Sequence, residues 1–119
     1  MNTDTYKNKL LEEKAVLEGE LTNVAIKHTD SGVWVAVPEA ETYAEADEND
    51  KADRAEEYEA RTALVNTLTE RLGDILISLA NIEAGSFGTC YGCGMQIEED
   101  RLEANPAAQT CKTCMNKVL

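Results

Sequence analysis

Along residues 50 to 84 the side chains Tyr58, Arg61, Val65, Leu68, Leu72, Ile75, Leu79 and Ile82 recur at alternating intervals of three and four, and all but Arg61 are apolar. That spacing is a heptad seam and predicts one long helix from about Asp50 to Ala84, with Leu64 and Leu76 broadening the stripe. Gly85 follows as a C-cap. A weaker pattern, Leu10, Leu17, Leu21 and Val24 with Leu11 and Ile26 beside it, predicts a first helix from about Asp4 to His28. Gly19 costs that helix about 1 kcal/mol relative to Ala, so it is expected to depend on a partner. At ~1.5 Å per residue the second helix spans ~52 Å and the first ~37 Å.

Between the helices, Thr29-Asp30-Ser31-Gly32 is a cluster of turn formers. Val33-Trp34-Val35-Ala36-Val37 has strand-like composition, yet Pro38 follows at once and no second strand pattern stands out to pair with it. The segment from Gly32 to Glu48 is therefore read as a loop whose Trp34 covers part of the helical pair. Two helices with one apolar stripe each bury those stripes most simply against each other. The expected fold is mainly α: an antiparallel helical hairpin (coiled coil) over residues 1–84, followed by a small C-terminal module over residues 85–119.

Chemistry concentrates in that module. Its four cysteines, the only ones in the chain, form Cys90-Tyr91-Gly92-Cys93 and Cys111-Lys112-Thr113-Cys114, with seventeen residues between the pairs. This lies inside the window of about 15–20 residues for paired CxxC metal sites. Each CxxC turn aims two sulfurs at one point, and two turns supply the closed thiolate tetrahedron of a structural zinc site. Iron in a rubredoxin-like site uses the same ligand type; the spacing favours zinc. Disulfides need an oxidising compartment, and the N-terminal MNTDTYKNKL has no apolar run of the secretory kind, so a cytoplasmic chain with reduced thiols is expected. A redox CxxC opens a helix in a thioredoxin-like unit, a context missing here. Phe87, Ile97 and Leu102 are expected beneath the cysteines as a small apolar plug, with Gly92 and Gly94 turning the backbone around the sulfurs. Arg101 is expected in an ion pair, and His28, the only histidine, in a helix-end or solvent role.

Net charge narrows the choice of partner. The chain carries 23 acidic and 11 basic residues, a formal charge of −12, with no clustered Lys or Arg to follow a phosphate backbone. Direct sequence-specific DNA binding is disfavoured, and steering toward basic surfaces is favoured. Acidic residues gather from Glu45 to Ala55, at the turn end of the expected hairpin. Helix capping accounts for one or two of them. No apolar run of about 18 residues suggests a membrane span, and neither an open metal position nor a nucleophile with its base suggests an enzyme.

The string Ile82-Glu83-Ala84-Gly85-Ser86-Phe87-Gly88-Thr89-Cys90-Tyr91-Gly92-Cys93-Gly94, with Ile97, Arg101-Leu102-Glu103-Ala104, Asn105-Pro106 and Cys111-Lys112-Thr113-Cys114, closely resembles the signature of the DksA/TraR family of C4 zinc-finger transcription regulators. Upstream, Asp50-Lys51-Ala52-Asp53-Arg54-Ala55 resembles that family's DxxDxA coiled-coil tip; Asp47 to Ala52 fits the same pattern three residues earlier. The resemblance covers roughly Asp47 to Cys114. It implies a monomeric protein that binds RNA polymerase, inserts the acidic tip into the secondary channel and modulates initiation without chemistry of its own. Asp50, Asp53 and Ala55 would be the tip effectors, and Cys90, Cys93, Cys111 and Cys114 the ligands of one zinc. The chain ends five residues after Cys114, so the C-terminal helix of longer members is not expected, and no ppGpp-binding residues are assigned. The competing readings are a Gre-type transcript-cleavage factor and a zinc-stabilised acidic helical adaptor with no polymerase role.

Overall fold

The computed structural model describes residues 3–27, 31–37 and 48–115. In chain order its elements are α1 (Thr3–Val24), β1 (Ala25–Lys27), β2 (Trp34–Ala36), α2 (Glu48–Ala84), α3 (Glu99–Ala104) and α4 (Lys112–Met115). At 37 residues, α2 is about 55 Å long. The chain divides into two compact units, Met1–Val16 with Arg71–Leu119, and Leu17–Glu70. Among the described residues no helix is long and apolar enough to cross a membrane.

In the first unit the start of α1 runs antiparallel to the end of α2. Lys7 pairs with Glu83 at 3.2 Å, and further along α1 Glu13 pairs with Arg71, earlier in α2. Tyr6 and Leu10 of α1 and Leu72 and Ile75 of α2 are buried in this unit. Glu13 lies on the stripe of α1, three residues past Leu10. The Arg71 guanidinium meets its carboxylate with two donors, Nε to Oε2 and Nη2 to Oε1 at 2.8 Å, and sends Nη1 to Asn105 Oδ1 at 2.7 Å. One planar cation thus ties α1, α2 and the cysteine module together, which a lysine ammonium has no fork to do. Ser78, the one buried polar residue among those described, accepts a bond of 3.0 Å from Gln109 Nε2, which also donates to the Asp74 carbonyl at 3.1 Å.

The end of α2 follows the C-cap expectation in full. Gly85 has φ 78°, its N–H donates to Ile82 O at 3.3 Å, and Ser86 N–H donates to Asn81 O at 2.8 Å. These two bonds satisfy carbonyls that the helix leaves unpaired, and the left-handed φ suits glycine.

The second unit differs from the sequence reading in two ways. The first helix ends at Val24, and Ala25–Lys27 pairs antiparallel with Trp34–Ala36 in the register Ala25↔Ala36, Ile26↔Val35, Lys27↔Trp34. Val37 N–H donates to Val24 O at 3.0 Å beyond the last pair. The partner that β2 lacked in the sequence is hidden in the helical stripe: Ile26, counted there as a flanking residue, is a strand residue. Period alone does not separate a helix's last turn from a three-residue strand. Ala25 and Ala36 face inward, Ile26 and Val35 are exposed, and Trp34 is half-buried with Lys27 Nζ 5.9 Å from its ring centroid. His28 lies outside the described residues.

The seam of α2 is also shorter than expected. Val65, Leu68, Leu72 and Ile75 are buried and Leu79 and Ile82 half-buried, while Tyr58, Leu64 and Leu76 are exposed. Arg61, the polar member of the series, donates from Nη1 to Val37 O at 2.6 Å, the carbonyl just past β2. With α1 ending at Val24, the ribbon occupies this level of the unit, and its free carbonyl calls for a donor in place of an apolar side chain.

Replacing Arg71 with Ala is expected to cost roughly 1–3 kcal/mol, as for hydrogen bonds to charged groups, read as a drop of several degrees in melting temperature. The Arg71 hydrogen bond holds the Glu13 carboxyl below the usual carboxylate range, against partial burial. Its contribution should be present above the unfolded value of about 4.3 and be lost as pH falls through the lower folded value. Urea titrations of Glu13→Gln and the parent should converge in acid and separate near neutrality.

Candidate metal centre

Positive-φ glycines and a tight hairpin build the first cysteine turn. Gly88 and Gly94 have φ of 86° and 75°, and Thr89 and Gln96 form an antiparallel bridge. Inside that bridge Cys90 N–H donates to Met95 O at 2.7 Å, Gly94 N–H to Cys90 O at 2.9 Å, and Gly92 N–H to Cys90 Sγ at 3.3 Å. The backbone therefore curls around one sulfur and points N–H dipoles at it. Space is tight at Gly92: a Cβ there would lie 3.2 Å from Cys114 Sγ and 3.3 Å from Cys114 Cβ, so that Cys114 would have to give way slightly.

The second pair is carried by α4, where Met115 N–H donates to Cys111 O at 2.8 Å. Glu98 Oε1 accepts from Lys112 N–H at 3.0 Å, and Lys112 Nζ lies 2.5 Å from Asp100. Tyr91 N–H joins the two halves by donating to Gln109 O at 2.8 Å. Among the described residues Arg101 forms no ion pair of the kind expected of it. Its Nε donates to Thr110 O at 2.6 Å, because α3 faces the segment leading into Cys111 and offers a carbonyl there.

The four Sγ atoms of Cys90, Cys93, Cys111 and Cys114 lie within 4.8 Å of one another, with Cys93 and Cys111 at 3.8 Å. A tetrahedral site with Zn–S of about 2.3 Å needs sulfurs about 3.8 Å apart. Backbone N–H groups, first that of Cys111 and then those of Cys93 and Gly92, bring the Cys90 thiol down to about 6. Hydrogen bonding to Cys90, Cys93 and Cys111 pushes Cys114 up to about 12. The cluster thus favours one thiolate and resists the last; a dication at the centre removes that conflict. Donor type, spacing and electrostatics all fit one structural zinc.

Beneath the sulfurs, Ile97 and Leu102 are buried and Phe87 packs against them, the three residues singled out in the sequence. Tyr6 of α1 joins the same cluster, its ring centroid 5.3 Å from that of Phe87. Sequence reasoning missed it, although it lies four residues before Leu10 on the same stripe. Of the acidic positions, Asp50 lies in the first turn of α2, and Asp53 and Ala55 are exposed on that helix. Asp47 and the rest of the stretch from Glu45 lie outside the described residues. Asp50, Asp53 and Ala55 belong to the unit Leu17–Glu70, apart from the cysteines.

Gly92→Ala is expected to leave the helices intact and speed zinc loss to a chromophoric chelator, since the methyl group presses on Cys114. The parent protein should hold one zinc per chain by elemental analysis.

Comparison with known proteins agrees with this geometry. Residues 85–118 match the model of the prokaryotic DksA/TraR C4-type zinc finger. The structure of transcription factor DksA2 from Pseudomonas aeruginosa is similar over 97% of this chain and 81% of its own, with a TM-score of 0.67 and 22% identity. The solution structure of DnaK suppressor protein from Agrobacterium tumefaciens C58 is similar over 99% of this chain and 95% of its own, at a TM-score of 0.63 and 24% identity. No curated protein sequence matches the chain. Residues 85–118, with their paired CxxC turns, thus match a DksA/TraR C4-type zinc finger, and the chain shares its fold with the DksA structures.

Proposed function

We propose that this chain is a transcription regulator that binds RNA polymerase and modulates initiation by presenting the acidic start of α2 to the secondary channel. The observation that carries the reading is the fold shared, over 97% of this chain, with a protein described as a transcription factor. The match of the finger at residues 85–118 supports it from an independent part of the comparison. In this reading Cys90, Cys93, Cys111 and Cys114 hold the zinc and do no chemistry. A closed four-thiolate shell leaves no position for substrate or water, so the protein acts by binding and is no enzyme. Residues 1–84 supply the helical hairpin and residues 85–119 the metal-stapled base. The protein works as a monomer in the cytoplasm.

Asp50, Asp53 and Ala55 are the effector residues. Asp53 and Ala55 are exposed, and a three-residue spacing puts positions 50 and 53 on one face of a helix. A net charge of −12 favours encounter with a basic channel and disfavours a DNA backbone. Such association weakens with salt, and its on-rate falls before its off-rate rises.

The test is a pull-down with purified RNA polymerase at low salt, together with initiation assays on several promoters. The parent should bind and change transcript yield; Asp50→Asn with Asp53→Asn should lose most of that effect while keeping its zinc and helix content. Absence of polymerase binding at low salt rejects the reading, and full activity of the double variant rejects the tip assignment alone.

A further inference from the structure

The cluster under the metal centre draws one member from the opposite end of the chain. Tyr6 is 6% exposed and belongs to the one buried cluster that also contains Cys90, Cys111, Ile97, Leu102 and Ala108. Its ring meets Phe87 at a centroid distance of 5.3 Å and an interplanar angle of 35°. Two of the four cysteines, Cys90 and Cys111, thus belong to the core that this ring completes, and a third, Cys114, packs against it. We propose that Tyr6 is a positioning residue of the metal centre, so that zinc retention and docking of the first turns of α1 are a single coupled equilibrium.

The argument is one of size and reciprocity. Ile97, Leu102, Ala108 and Phe87 alone are too small a core to order a module of this length, and metal binding in such modules is folding free energy. A ring buried in the cluster that contains Cys90 and Cys111, and stacked on Phe87, finds its full apolar surroundings only when the cysteine turns are closed. Coupling of this kind is reciprocal: whatever the closed centre contributes to seating Tyr6, seating Tyr6 contributes to holding zinc. Three polar links carry the coupling along the helices of the same unit. Lys7 reaches Glu83, Arg71 joins Glu13 to Asn105, and Gln109 reaches Ser78. The ring stays neutral at working pH, since burial and then the charges of Glu103 and Glu99 raise the Tyr6 hydroxyl above its ordinary value. Zinc status is thereby expressed at α1, a segment with none of the cysteines.

The test uses the full-length, zinc-loaded chain, with zinc release to a chromophoric chelator and backbone hydrogen exchange of residues 3–16 as readouts. Tyr6→Ala should release zinc at least about tenfold faster, as truncation of a buried aromatic implies, while Tyr6→Phe should stay within about twofold of the parent. Leu21→Ala, a fully buried change in the other unit, should leave release near the parental rate. Removing zinc from the parent should deprotect residues 3–16 together with the finger. Should Tyr6→Ala fail to fold, Tyr6→Leu keeps an apolar plug without the ring stack and should also release zinc faster than Tyr6→Phe. The inference is overturned if Tyr6→Ala, or Tyr6→Leu in its place, releases zinc at the parental rate. It is equally overturned if Leu21→Ala is as fast as Tyr6→Ala, or if residues 3–16 keep their protection after zinc leaves.

Discussion

Four thiols held within 4.8 Å of one another are a standing electrostatic demand on this fold. Backbone N–H groups make the Cys90 thiolate easy to form, while hydrogen bonding to the other three cysteines, then burial and the charge at Cys111, push Cys114 up. Cys90, Cys93, Cys111 and Cys114 would together hold one dication, whose charge would favour all four thiolates and staple the Cys90 hairpin to the Cys111 turn. The rest of the module is arranged around that staple. Gly92 gives up its side chain to Cys114, Tyr91 ties its N–H to Gln109, and Glu98 reaches across to the Lys112 N–H. Without the central charge these contacts would have only a handful of buried apolar residues to hold them.

Directed polar contacts help hold the module to the helices, and they select one arrangement where apolar contact alone would tolerate several. Arg71 reads two acceptors of different elements with one rigid fork, and Gln109 reads a buried serine hydroxyl and a helix carbonyl with one amide. Each bond contributes modestly to net stability, but breaking one leaves a shielded donor or acceptor without a partner, and that asymmetry enforces the arrangement. Tyr6 supplies the complementary apolar contact on the α1 side.

What could be read in the sequence was local. The CxxC spacing states its chemistry within four residues, the Gly85 cap within two turns, and the core of the seam from Val65 to Ile75 follows from periodicity alone. What could not be read depended on pairings distant along the chain. Ile26 has the same apolar character in a helix or a strand, and only its partner Val35 decides between them. Ser78 appears as a polar interruption until Gln109 is brought to it, and Arg71 as one more surface cation until Glu13 and Asn105 are. Tyr6 was available to a longer reading of the α1 stripe, since i and i+4 positions share a face.

The first turns of α2 follow a different physical rule from the rest of that helix. From Ala52 to Leu64 no described residue is buried, and burial begins at Val65. A helix without a buried face must be sustained by propensity, and this stretch is rich in Ala, Glu and Arg, the strongest helix formers. Acids early in it also favour the helix dipole. The segment can therefore stay helical while leaving Asp53 and Ala55 uncovered, where a helix stabilised by packing would have to hide one face. Arg61 marks the change of regime: it spends its charge on the Val37 carbonyl, and beyond it the apolar stripe takes over. A partner that engages the acidic turns thus meets a preformed surface and need not displace a core to reach it.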